Sequence, residues 1–169
     1  MEKHIIVGIA GIGKTTLDRK NQDVVDMEIR NHKYTNWRPD YDLHDWYKIK
    51  EHIINDNWFE KYLEAVKDEI ENGNHKIVFV WMDNAVIEWL ENENIPYTIA
   101  FWDRNQDGMQ EFLQERYTKR GNPQPWIDRV LNYLDEIYEK YATNNNVNSI
   151  ILKKNENIEQ ILKERLKWL

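Results

Sequence analysis

The chain has 169 residues, 41% of them apolar and 31% charged, with a formal net charge of -7, a length that suits one domain with a substantial core. An acidic balance with no block of basic residues argues against binding to long nucleic acid, although a local basic cleft for phosphates remains compatible with it. The absence of cysteine rules out disulfides, thiolate nucleophiles and Cys-ligated metals, and no apolar run approaches the roughly 20 residues of a membrane-spanning helix.

The first element is also the most informative. Residues His4 to Leu17 read HIIVGIAGIGKTTL: an apolar strand, three glycines in six residues, then Lys14, Thr15 and Thr16. Gly8, Gly13, Lys14 and Thr15 satisfy GxxxxGK[ST], the phosphate-binding loop, between a strand and a helix start. Glycine at Gly8, Gly11 and Gly13 lets backbone N–H groups turn inward around polyphosphate oxygens, where a Cβ would fill the space. Lys14 can reach β- and γ-phosphates, the Thr15 hydroxyl can ligate Mg²⁺, and Thr16 continues the nest. ATP with Mg²⁺ is the expected ligand. The dinucleotide fingerprint GxGxxG, counted from Gly11, fails at Thr16. Because the chain passes from Met-Glu-Lys directly into this strand, no leader peptide is expected, and the cytoplasm is the expected compartment.

A helix is predicted over Thr15–Lys20 and a short strand over Asp23–Glu28, which ends in two acids. Residues 29–42 lack periodicity and read as a loop rich in Asn, Asp, Trp and Tyr. Asp42 is a candidate N-cap for a helix over Leu43–Ile54, and a second helix spans Trp58–Glu71 up to the stop at Asn72-Gly73-Asn74. His75–Met82 and Pro96–Trp102 are apolar runs of the kind buried on both faces of a parallel sheet, separated by a helix over Asn84–Asn92. Helices follow over Gln106–Arg120 and Trp126–Tyr141, then a strand over Val147–Leu152 and a closing helix over Ile158–Trp168. Five strands alternating with helices predict a doubly wound α/β sheet in one domain, 1–169.

A phosphate loop that carries out chemistry needs a carboxylate at a neighbouring strand end. Asp83 closes IVFVWMD, the apolar strand followed by Asp that marks a Mg²⁺ ligand, and it could equally cap the helix behind it. Asp26 and Glu28 close the second strand on one side, where either could act as a base or hold Mg²⁺ through water. Arg116, Lys119 and Arg120 fall on one helix face, with Arg104 at the preceding strand exit, and such a group could clamp a transferring phosphoryl. Arg30 and Arg38 flank the aromatic loop, where Tyr34, Trp37 and Tyr41 are candidates for stacking on a base. The five histidines show no metal-site spacing.

Taken together, the order of parts resembles the nucleoside and nucleoside monophosphate kinase branch of phosphate-loop proteins, adenylate kinase-like over nearly the whole chain. That resemblance implies a three-layer fold around a five-stranded parallel sheet in the order 2-3-1-4-5. It also implies an acceptor-binding helical insertion at about 29–72 and a short lid at about 104–122. DMEIR resembles the Asp-Met-x-x-Arg after the second strand of adenylate kinases, which would make Arg30 an acceptor-phosphate ligand, and ERYTKRG (Glu115–Gly121) resembles a lid segment. Small phage-type phosphate-loop kinases are similar as well, in the pair Asp26 and Glu28, in Tyr34 and Trp37, and in the IPYTIAFWD and ERYTKRGN segments. The chain departs from them at Ile29 and Arg30, where small hydroxyl residues are expected, and its lid holds no Cys-ligated zinc.

The expectation is therefore a phosphotransferase. Lys14, Asp26, Arg116 and Arg120 are its catalytic candidates; Gly8, Gly11, Gly13, Lys14, Thr15 and Thr16 hold the nucleotide; Glu28, Arg30, Tyr34 and Trp37 hold the acceptor; Thr15 and Asp83 serve the metal. Its partners are a nucleotide donor and a small-molecule acceptor, a nucleoside or its monophosphate, with neither membrane nor long nucleic acid. A regulatory NTPase without a small acceptor, or a kinase of another small alcohol such as a sugar, are the alternatives.

Overall fold

A computed structural model describes residues 2–169. Five strands form one parallel sheet: β1 (His4–Gly8), β2 (Val24–Asp26), β3 (Ile77–Trp81), β4 (Thr98–Trp102) and β5 (Asn148–Leu152), in the order β2-β3-β1-β4-β5. This is the expected α/β fold with the expected strand order. The helices are α1 (Lys14–Asp18), α2 (Arg30–Lys33), α3 (Leu43–Lys48), α4 (Trp58–Asn72), α5 (Asn84–Asn92), α6 (Met109–Arg120), α7 (Gln124–Tyr141) and α8 (Ile158–Gln160). A π-helical turn, Ile161–Arg165, continues α8.

Parallel strands covered by helices on both faces must be apolar throughout. Every residue of β4 is buried, as are Ile77–Val80 of β3. In register, Gly8 lies opposite Trp81 of β3 and Ala100 of β4, which puts the carboxyl ends of β1, β3 and β4 at one edge. β1 is followed in the sheet by β3 on one side and β4 on the other, so the chain leaves β1 and β3 in opposite directions. A crevice opens at such a switch point, outside the carboxyl ends of the strands.

Local differences from the expected boundaries have visible causes. The helix begun at Asp42, whose carboxylate accepts from the N–H groups of His44 and Asp45, stops at Lys48 instead of Ile54. The His52 ring stacks on Trp46 at 3.9 Å and its Nε2 bonds the Trp46 carbonyl at 2.9 Å, which turns the chain back. Ile54 then pairs with Tyr34 as an isolated antiparallel bridge. Within 29–42, Glu28 accepts from the Arg30 N–H at 3.2 Å and starts the single turn α2. The closing helix is one α turn, capped by Asn157, followed by the π turn, and Trp168 stacks on His4 at 3.9 Å.

One side chain fixes the strand ends that matter most. The fully buried Tyr62 of α4 donates its hydroxyl to the Met27 carbonyl at 3.0 Å and accepts from the Trp81 N–H at 2.8 Å, joining the exits of β2 and β3. Tyr62→Phe leaves both backbone groups unpaired in a dry site, which costs about 1–3 kcal/mol for each group left unmatched. The expected result is a clear fall in the urea midpoint with the denaturant slope unchanged; an unchanged midpoint would show that this hydroxyl bridge does not hold the strand ends.

Candidate active site

A cavity of about 1100 Å³ fills the crevice. The glycine loop after β1 forms its floor. Residues of α2, α3 and the following turn form one wall, the end of β3 another, and α6 with the start of α7 the third. The wall carries more cations than acids: Lys14, Arg30, Lys33, Arg116, Lys119, Arg120 and Arg129 face Asp26, Glu28, Asp83 and Glu115. In a chain of net charge -7 this concentrates positive potential in one place, as an anionic ligand requires.

Space and backbone conformation account for two glycines of the loop. A Cβ at Gly8 would stand 3.0 Å from the Lys14 Cδ and the Ile12 Cδ1, and Gly13 caps α1 at φ 102° without a side-chain hydrogen bond. Lys14 is half-buried at the cavity floor, and its Nζ donates to the Gly8 carbonyl at 2.5 Å. Burial lowers its proton affinity, and Asp26 followed by Glu28 oppose that effect. Thr15, the second residue of α1, donates its hydroxyl to Asp26 Oδ2 at 2.7 Å. The Asp26 N–H in turn donates to Asp18 of α1 at 3.1 Å, so the end of β2 is tied to the loop's own helix. Burial raises Asp26 above the usual carboxylate range, with Lys14 and the Thr15 hydroxyl pulling it back.

The two candidate carboxylates thus differ in setting. Asp26 stands against Thr15 and Lys14, whereas the Asp83 side chain accepts from the Ala85 N–H at 2.8 Å as the N-cap of α5, at the cavity edge. Among the described residues no group of three or more His, Asp or Glu is arranged to hold a metal by itself.

Three guanidiniums approach the loop. Arg116 Nε donates to the Gly11 carbonyl at 2.9 Å and lies over the Trp102 ring. Arg120 is largely buried, and its Nη1 has no hydrogen-bond partner. Burial, then the positive neighbours Arg30 and Arg116, lower its hold on the proton. A guanidinium stays charged nonetheless, so an anion there removes a standing electrostatic cost. Arg30 pairs with Glu28 at 2.9 Å and lies over the Trp37 ring at 5.5 Å.

Not every expected residue reaches the cavity. Tyr34, Glu28 and Arg30 line it, but Trp37 does not: its indole N–H donates to Asn31 at 3.0 Å and its ring abuts Trp46 edge-on at 5.2 Å. Arg104, expected with the lid cations, is bonded to Asp135 of α7 instead. Lys119 pairs with Glu115 at 2.9 Å, and Arg38 is exposed, paired with Asp40 and stacked on Tyr41. In turn the cavity is lined by residues that sequence reasoning left aside: Trp46, Tyr47 and His52 beside the insertion, and Trp126, Arg129 and Tyr133 on α7. Trp126, Arg129 and Tyr133 belong to no motif, and only the fold brings the start of α7 to the crevice.

The segment read as a lid, 104–122, is mostly α6, whose Met109, Leu113 and Tyr117 are buried against the sheet. Its end meets the insertion. His44 Nε2 lies 3.1 Å from the Lys119 carbonyl, and Gly121, at φ 93°, packs so closely that a Cβ would stand 2.7 Å from the His44 Cγ and backbone N. Positive φ and lack of room both require glycine there.

No family model matches the chain, and no curated protein does. Among solved structures it is similar to the crystal structure of a sugar kinase from a Janibacter species, determined without ligand. The identity is 16% and the TM-score 0.57, over 99% of this chain and 94% of that one. At that identity the likeness establishes a shared fold along nearly the whole of both chains.

Proposed function

We propose that the protein is an ATP-dependent phosphotransferase that phosphorylates a nucleoside or nucleoside monophosphate. The observation that carries the reading is the continuity of one cavity, from the glycine loop with Lys14 and Asp26 to an aromatic arm under residues 29–72. Its volume, about 1100 Å³, lies just above the usual range of ligand pockets, about 300–1,000 Å³. The residues fit a triphosphate on two counts: a cradle that a Cβ at Gly8 would fill, and the orphaned buried nitrogen of Arg120. Mg²⁺ is usually bound by one or two protein oxygens together with phosphates and water, which Thr15 and Asp83, both on the cavity wall, suit. When bound, it neutralises charge shared between the β- and γ-phosphates.

The chain's own residues then have plain tasks. Lys14 and the loop hold the donor, and Arg116 and Arg120 lie where charge spreads on the transferring phosphoryl. With a hydroxyl acceptor, the acceptor oxygen bonds to the γ-phosphorus, the bond to the β–γ bridging oxygen breaks, and the hydroxyl proton passes to Asp26. A monophosphate acceptor arrives with an ionised oxygen, and Arg30 is placed to meet it. Positioning and charge provide most of the rate in such reactions.

A sugar or other small alcohol is the second reading, favoured by the sugar-kinase fold neighbour and by the engagement of Arg30 with Glu28. ADP release measured across nucleosides, nucleoside monophosphates and sugars separates the two. The expected result is stimulation by a nucleoside or its monophosphate; stimulation by sugars alone supports the second reading. A bare ATPase rate with every acceptor removes the kinase reading and leaves a nucleotide-binding NTPase.

A further inference from the structure

Two carbonyls of the glycine loop are held from behind by α6 and β4. The Tyr117 hydroxyl donates to the Ala10 carbonyl at 2.8 Å, the Trp102 indole N–H donates to the same oxygen at 3.4 Å, and Arg116 holds the Gly11 carbonyl. Tyr117 and Trp102 are fully buried and lie outside the cavity lining, whereas Ala10 and Gly11 line it. Every peptide bond described is trans, so the N–H of a peptide points opposite to its carbonyl. With the Ala10 carbonyl drawn toward Tyr117 and Trp102, the Gly11 N–H is turned away from the core, toward the cavity. The fit is close: at φ 83°, a Cβ on Gly11 would stand 2.9 Å from Tyr117 Cε1. Burial pushes the Tyr117 phenol up to about 12, so it remains a donor through the neutral range.

We propose that Tyr117 is a positioning residue that sets the Ala10–Gly11 peptide for triphosphate binding before the nucleotide arrives, with Trp102 as a secondary donor. The inference rests on the phosphate-loop reading. It extends that reading, because Arg116 and Arg120 flank Tyr117 on α6: the hydroxyl that orients the loop and the two guanidiniums that face it belong to one packed helix. Loop and cations are thus held in register. Without the phenol O–H the peptide is free to rotate, and part of the binding energy goes to fixing it again.

Tyr117→Phe keeps the ring and removes the donor. Loss of a net hydrogen bond of about 1 kcal/mol corresponds to a roughly fivefold change in affinity. Titration calorimetry with Mg²⁺ and a non-hydrolysable ATP analogue should show affinity about five- to tenfold weaker. The donor KM should rise in step, with kcat within about twofold of the parent. Parental affinity and KM overturn the proposal, as does a variant that loses kcat with KM unchanged. Should Tyr117→Phe melt well below the parent, Trp102→Phe tests the weaker donor on the same oxygen, with a two- to threefold loss expected and no loss overturning it. Lys14→Met serves as the control. If it too binds the analogue like the parent, the phosphate-loop reading itself fails and takes the proposal with it. If it abolishes binding while Tyr117→Phe does not, only the positioning role fails.

Discussion

Asp26→Asn is expected to slow phosphoryl transfer to a hydroxyl acceptor by about 10²–10⁴-fold, the range for removal of a positioned general base. Triphosphate affinity should change little, since the amide still accepts from Thr15. The pH profile gives the sharper test. Burial raises Asp26 above the ordinary carboxylate range, and the base works only when ionised. The parent rate should therefore fall as pH drops through that raised value, with an acid limb lying above the range of a free carboxylate, and the Asn variant should lack the limb. Stability runs the other way. A carboxyl that holds its proton more tightly folded than unfolded loses its contribution as pH rises through the folded value. The ligand-free parent should thus lose thermal stability over that window relative to Asp26→Asn. A variant with the parent's rate and profile would remove Asp26 from the chemistry.

Lys14→Met is expected to abolish turnover by about 10³-fold or more, by analogy with loss of a preorganised charged donor at a site of developing charge. It should also cancel the thermal stabilisation given by Mg²⁺ and ATP. A ligand at 100 times its Kd stabilises by about 2.7 kcal/mol, a shift easily read by melting. The ligand-free variant should melt no lower than the parent, because the partly desolvated ammonium is held at an electrostatic cost and its one hydrogen bond goes to the Gly8 carbonyl. Loss of ligand stabilisation without loss of intrinsic stability separates a binding lysine from a structural one. Unchanged nucleotide stabilisation would sink the assignment of the loop.

Much of the fold was legible because its determinants are local. Apolar runs bounded by glycine and asparagine placed five strands and most helices, and the glycine motif placed the site at the end of β1. The strand order came with the resemblance and is the order observed. What escaped the sequence depends on partners distant along the chain. Arg104 could not be removed from the cation group without knowing that Asp135 sits one helix away. The early stop of α3 depends on His52 folding back over Trp46, a stacking that no period encodes. Trp37 and Trp46 look alike as aromatic residues beside polar ones; only the fold puts Trp46 at the cavity wall and leaves Trp37 behind Arg30. Tyr117 stands unmarked within the ERYTKRG segment, yet its hydroxyl meets the loop 107 residues earlier.

The contact of His44 with the end of α6 has a consequence for how the walls of the cleft are ordered. Where two rims move separately, substrate binding must order each of them, and the cost is subtracted from affinity twice. Here the rims already touch, with a glycine that admits no side chain at the junction. The two walls of the crevice are therefore ordered together when the chain folds, and a ligand between them does not have to order each one separately.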